Sequence, residues 1–138
     1  GGGGLTGGLA LACPDAEIFI AEPEGWDDML NSLAAGEIVS VRDMSYPTDC
    51  DALQTPRTFP INFAVLKERV SGGAAVTPAD VSAAMKLAFE RLHLVVEPGG
   101  AAALAAVLSG KVQASDATVV TLSGGNVDQE TFVRMISA

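Results

Sequence analysis

Short apolar runs alternate with segments of helical periodicity along almost the whole chain, and this alternation limits the fold more than any other feature. Glu17–Ala21, Ala74–Val76 and Thr118–Leu122 are short and continuously apolar or nearly so, which reads as buried strand. Glu37–Val41 is a weaker strand of the same kind. Between these runs the spacing predicts helices over Leu5–Ala12, Asp27–Ala35, Ile61–Val70, Thr77 to about Arg91, an Ala-rich one following Gly99-Gly100 and running to about Leu108, and a last one through Met135. In Asp27–Ala35 the residues Met29, Leu30 and Leu33 share a face and Gly36 is the stop. Ser45–Pro60 is irregular, because Pro47, Pro56 and Pro60 exclude a long helix. The alternation predicts an α/β fold with a parallel-sheet core and helices on both faces. No linker separates two apolar regions, so residues 1–138 are expected to form a single domain.

Local signals sharpen two of the helix starts. Thr77-Pro78-Ala79-Asp80 combines a capping hydroxyl, a proline suited to the first helical position and an acid facing the positive end of the helix dipole. Asp128 is placed to cap the last helix. Hydrophobic residues make up 49% of the chain but aromatics only 5%, so the core must be built mainly from Ala, Val and Leu, which suits close packing of helices on a sheet.

Seventeen acids against eight bases give a net charge of −9. Nucleic acid is excluded as a partner on this reading, because a phosphate backbone needs basic patches. No apolar run is long enough to span a bilayer. Cys13 and Cys50 have neither metal-ligand spacing nor company for a disulfide framework, so two reduced thiols in a cytoplasmic protein are expected.

Four places carry residues suited to chemistry. Gly1-Gly2-Gly3-Gly4-Leu5 runs into a helix, whose first N–H groups are unpaired, and glycines let the backbone close around a phosphate. The run also reads as a cloning scar, or as the start of a piece cut from something longer. Ser123 follows an apolar run and precedes Gly124-Gly125-Asn126, at the strand end where α/β sheets bind ligands; an ordinary turn would look the same. Ala21-Glu22-Pro23-Glu24-Gly25-Trp26-Asp27-Asp28 offers the hard oxygens of Glu22 and Asp28, with a backbone carbonyl between them, to magnesium or calcium. Helix capping by Asp27 and Asp28 is the plainer alternative. Glu97 precedes Gly99-Gly100 at a helix start and is either a site carboxylate or a surface acid. His93 reads as structural, and Lys67, Lys86 and Lys111 as solvated surface residues.

Taken in order, GGGGLTGG, IAEPEGWDD, AAMKLAFERLHLVVEPGGAAALAAVLSGK and TLSGGNVD resemble the second half of the serine/threonine dehydratase family. That family includes threonine dehydratase, serine racemase and hydroxyaspartate dehydratase. The resemblance implies the large cofactor domain of a tryptophan-synthase-β-like fold and pyridoxal 5′-phosphate as cofactor. It assigns the cofactor's phosphate to Gly1, Gly2, Gly3, Gly4 and Leu5, its pyridine nitrogen to Ser123, and a place near its ring to Glu97. Glu22, Asp28 and the Trp26 carbonyl match a divalent-cation site found in part of the family. The activity implied is dehydration of a β-hydroxy amino acid to a 2-oxo acid and ammonia.

The departures are equally specific. The stretch between the glycines and Glu22 is about one helical turn shorter than the family pattern, roughly four residues. Ala-Asp-Gly-Leu appears as Cys50-Asp51-Ala52-Leu53, and the following loop, Gln54–Thr58, is also shorter. The family's cofactor-bonding lysine lies upstream of the glycine run and matches none of the three lysines here. The chain alone is therefore expected to be inactive and to need the N-terminal part of the enzyme, with association into a homo-oligomer covering exposed faces. The alternatives are a non-catalytic phosphate- or cofactor-binding or regulatory module, or a relative of serine racemase or hydroxyaspartate dehydratase.

Overall fold

The computed structural model describes all 138 residues. Its elements are α1 (Gly4–Ala12), β1 (Ile18–Pro23), α2 (Asp28–Ala35), a 3-10 turn (Asp51–Leu53), α3 (Pro60–Arg69), β2 (Val70–Val76), α4 (Pro78–Leu92), α5 (Pro98–Leu108) and α6 (Gln129–Ser137). β1 and β2 pair in parallel, with Ile20 opposite Gly73 and Pro23 opposite Val76, and the register shifts between Ile18 and Phe19. Parallel strands need a long crossover, and residues 24–69 supply it through α2, the 3-10 turn and α3.

Side chains alternate across this ribbon and divide the core in two. Ile20 faces Ala10, Met29 and Leu66, a cluster formed with α1, α2 and α3. Ala21, Ala74 and Val76 face the other way, onto a cluster of twelve buried residues drawn mainly from α4 and α5. Alanine dominates the contact, with Ala84, Ala88, Ala101, Ala102, Ala105 and Ala106 all buried. Helices therefore cover both faces, as the alternation of the sequence requires.

The strong local signals hold. Asp80 N–H donates to Thr77 Oγ1 at 3.2 Å and Thr77 N–H to Asp80 Oδ2 at 2.9 Å, closing a capping box on α4. Thr131 N–H donates to Asp128 Oδ1 at 2.8 Å and caps α6. Gly36 ends α2 in the left-handed region. His93 does the same for α4, at φ 57°.

Two predicted strands are absent from the sheet. Glu37–Val41 and Thr118–Leu122 belong to no ladder, and Val119 is 89% exposed. An apolar run states that a segment tolerates burial; a strand also needs a neighbour for its backbone N–H and C=O groups. The end of the second run is anchored instead to the start of α5. Ser123 N–H donates to the Gly100 carbonyl at 3.3 Å, and Glu97 N–H donates to the Gly124 carbonyl at 3.1 Å.

No helix is long and apolar enough to cross a membrane.

Candidate active site

Gly3 sits at φ 83°, ψ 5° and turns the chain into α1. The first bond of that helix runs from Gly7 N–H to the Gly3 carbonyl at 2.8 Å. The N–H groups of Gly4, Leu5 and Thr6 therefore have no carbonyl within their own helix. A Cβ added at Gly4 would meet nothing within 4 Å, so the space in front of this turn is open. Exposed N–H groups, the positive end of a helix dipole and missing side chains together form an anion cradle.

The cradle opens into a cleft of about 260 Å³. Gly1–Leu5 form one side, with Ile20, Ala21 and Glu22 from β1. Gly99, Gly100, Ala102 and Ala103 of α5 form the other side, together with Thr121 and Ser123. Leu53 also lines the cleft. It packs against the positions of Gly1 and Gly99, where added Cβ atoms would lie 3.5 Å from its Cδ2 and 3.3 Å from its Cγ. Ala52, which stands where the family pattern has glycine, also lines the cleft and has no positive φ.

Ser123 is held by close backbone contact. A Cβ at Gly100 would collide with the Ser123 carbonyl oxygen, so only glycine lets the 123–126 segment dock there. Glu97 serves the same segment. Its Oε2 accepts from Asn126 N–H at 2.9 Å, and its carboxyl group fills the space where Gly124 would carry a Cβ. Glu97 does not form part of the cleft wall.

The carboxylates at the end of β1 do not cap α2 in the way the capping reading of Asp27 and Asp28 expects. Asp27 occupies the cap position of α2 but makes no capping bond. Glu22 caps the helix from a distance, accepting from Leu30 N–H at 2.9 Å and from Met29 N–H at 3.4 Å. Asp28 is 1% exposed, and neither of its carboxyl oxygens has a hydrogen-bond partner. Burial pushes the Glu22 carboxyl up to about 7, against the pull of the Leu30 and Met29 N–H groups that donate to it. Burial also raises the Asp28 carboxyl. The Trp26 side chain is buried, and its Nε1 donates to the Tyr46 carbonyl at 2.9 Å, fixing the intervening loop. No three His, Cys, Asp or Glu side chains converge on one point.

Sequence reasoning marks the 50–58 segment only as a departure from the family pattern, and assigns no role to Leu53, Thr58 or Asn62 individually. Thr58 Oγ1 and Asn62 Nδ2 both donate to the Gly2 carbonyl, at 3.2 Å and 2.5 Å. They lie 56 and 60 residues from Gly2 along the chain, so no local pattern announces the contact. The three lysines stand outside the cleft. Lys111 pairs with Asp80 at 2.7 Å on the surface.

Residues 1–124 match the family model described as "Pyridoxal-phosphate dependent enzyme". The chain is 33% identical over 144 residues to serine racemase of Dictyostelium discoideum, covering 99% of this chain and 44% of that protein. It is 34% identical over 142 residues to L-threo-3-hydroxyaspartate ammonia-lyase of Saccharomyces cerevisiae, covering 99% and 43%. The crystal structure of a T.th. threonine deaminase superposes with a TM-score of 0.86 at 39% identity, over 93% of this chain and 48% of that one. Maize serine racemase superposes at 0.82 with 36% identity, over 99% and 44%. The chain thus spans less than half the length of these relatives. With the match running from the glycine turn through Ser123 and Gly124, the chain belongs to the pyridoxal-phosphate-dependent enzyme family.

Proposed function

We propose that these residues form the phosphate side of the cofactor site in an enzyme that removes water from a β-hydroxy amino acid, giving a 2-oxo acid and ammonia. The observation that carries this reading is one cleft shared by the open glycine turn and Ser123. Relatives named for serine, threonine and hydroxyaspartate support the substrate class.

The residues present fit the cofactor. Gly1–Gly4 and Leu5 offer backbone N–H groups to its phosphate, in a turn where no side chain intrudes at Gly4. Ser123 would hydrogen-bond the pyridine nitrogen. A hydroxyl is a weak acid, so Ser123 leaves that nitrogen unprotonated. When bound, pyridoxal phosphate supplies an electron sink for negative charge at the substrate α-carbon. Leu53 and the alanines of α5 keep water from the cleft wall. Glu97 holds the arm that carries Ser123 rather than meeting the ligand directly.

Glu22, Asp28 and the Trp26 carbonyl would hold magnesium or calcium. Two unpartnered oxygens on a fully buried Asp28 are costly without a cation or a proton, and two buried carboxylates beside each other raise that cost.

No lysine reaches the cleft, so the 138 residues by themselves would bind and not turn over. In this reading a lysine-bearing N-terminal part completes the site in the cytoplasm, and homo-oligomerisation covers the exposed apolar faces. The test is direct. The chain alone, treated with pyridoxal phosphate and borohydride, should carry no specific adduct at Lys67, Lys86 or Lys111. Joined to a lysine-bearing N-terminal half, it should release a 2-oxo acid from L-serine, L-threonine or 3-hydroxyaspartate. Ser123→Ala should slow that release. Binding without turnover in the joined polypeptide would identify a binding module instead.

A further inference from the structure

The back of the glycine turn is gripped by two side chains that the chemistry proposed above does not use. Asn62 lies in the first turn of α3, where its side chain caps nothing in its own helix. It donates instead to the Gly2 carbonyl at 2.5 Å, and the buried Thr58 hydroxyl donates to the same oxygen at 3.2 Å. Neither residue lines the cleft.

The Gly2–Gly3 peptide is planar and trans, so its C=O and N–H point in opposite directions. Two donors fixing the carbonyl toward α3 therefore turn the Gly3 N–H away from it. Gly3 is left-handed and Gly4 begins a right-handed helix. Successive N–H groups across such a step converge into an anion-binding concavity. The turn cannot retreat from this position. A Cβ at Gly3 would lie 2.8 Å from Met29 Cε, 2.9 Å from Leu66 Cδ1 and 3.4 Å from Asn62 Cβ. Donation to a carbonyl also polarises its peptide, which makes the N–H on the far side a better donor.

We propose that Asn62 and Thr58 are positioning residues: they set the direction and donor strength of the Gly3 N–H, and through it the selectivity of the cleft for a phosphate-bearing ligand. This rests on the reading that the glycine turn binds the cofactor's phosphate.

The test compares pyridoxal phosphate with pyridoxal, which lacks the phosphate, by titrating the chain and its variants. Asn62→Ala and Thr58→Val should each weaken pyridoxal phosphate about five- to tenfold, in line with the loss of one hydrogen bond, and leave pyridoxal unchanged. Asn62→Asp, which sets a carboxylate against the carbonyl, should do more. Thr58→Ser keeps the hydroxyl and should behave as wild type. Equal weakening of both ligands, or of neither, would overturn the proposal, since a merely structural role makes no distinction between them. If the wild-type chain itself shows no preference for the phosphate-bearing ligand, the functional reading fails. The positioning role is then decided in the free protein by heteronuclear NOE values of the Gly3 and Gly4 amides. They should fall in Asn62→Ala and hold in Thr58→Ser; unchanged values in Asn62→Ala overturn it.

Discussion

Where α5 meets the Ser123 arm, the cleft wall is shaped by what is missing: Gly100 and Gly124 carry no side chains, and neighbouring atoms fill the space. Behind it stands a cluster of twelve buried residues, most of them small and all apolar apart from a thiol. Where the glycine turn meets the end of β1, the wall is shaped by polar groups. Gly2 is held by two donors, Glu22 caps α2, and Asp28 is buried without partners. The cluster behind this second wall has only four buried members, Ala10, Ile20, Met29 and Leu66. The difference separates two ways of fixing a site. Shape is indifferent to pH and salt; buried charge is not. Apart from the Glu97 carboxyl that accepts from Asn126 N–H, the first wall is set by packing and should change less with conditions than the second, which should respond to protons and cations.

The largest expected effects compare the two foundations directly. Leu66 and Met85 are both fully buried, one in each cluster. Leu66→Ala and Met85→Ala should each cost about 3 kcal/mol in urea unfolding, the usual range for emptying such a site. Only Leu66→Ala should also weaken pyridoxal phosphate binding, because Leu66 packs directly behind Gly3. Equal loss of binding in both variants would show that the walls are not independently supported.

Gly100→Ala attacks the shape-defined wall. The added Cβ collides with the Ser123 carbonyl, so the arm must lift or the helix must shift. A loss of about 2 kcal/mol is expected, with faster hydrogen exchange at Asn126, whose N–H bonds Glu97 in the native fold. Unchanged exchange there would mean that the arm docks by other contacts.

Glu22→Gln attacks the charge-defined wall, and its sign depends on pH. The Glu22 carboxyl titrates near 4.5 when unfolded and near 7 when folded. Between those values the folded chain binds more protons, so stability falls as pH rises and the loss is complete above about 7. Asp28, also raised by burial, acts in the same direction. Glu22→Gln should match wild type near pH 4.5 and exceed it by roughly 1–2 kcal/mol at pH 8. Millimolar magnesium or calcium should stabilise wild type at pH 8 and leave Glu22→Gln little changed. Parallel pH profiles for the two proteins would remove the electrostatic half of the comparison.

The same division explains what can be read from the sequence. The α4 and α6 starts and the α2 stop are legible because their causes lie within a few residues: Thr77 with Asp80, Asp128 with Thr131, and Gly36. The two-sided α/β plan is legible from period alone. The segments at 37–41 and 118–122 mislead because apolar composition reports burial and not a pairing partner. Among site residues, the glycine turn and Ser123 stand out by type and position next to apolar runs. The capping role of Glu22 is not visible, since it requires knowing that the end of β1 faces the start of α2. Asn62 and Thr58 carry no local signature at all, because their only distinguishing contact is across the fold.

The smallest stability change separates folding from binding most cleanly. Gly4 is the first residue of α1, has no positive φ, and has open space where a Cβ would go. Replacing a helical glycine with alanine reduces the freedom of the unfolded chain and should stabilise the protein by about 0.5–1 kcal/mol. The same methyl group enters the space in front of the unpaired N–H groups, where a phosphate would sit. Gly4→Ala should therefore raise the urea midpoint slightly and lower affinity for pyridoxal phosphate, while pyridoxal binding changes little. A stabilised variant with unchanged preference for the phosphate would place the anion elsewhere along the cleft. A destabilised one would mean that the first turn of α1 is more strained than its open surroundings imply.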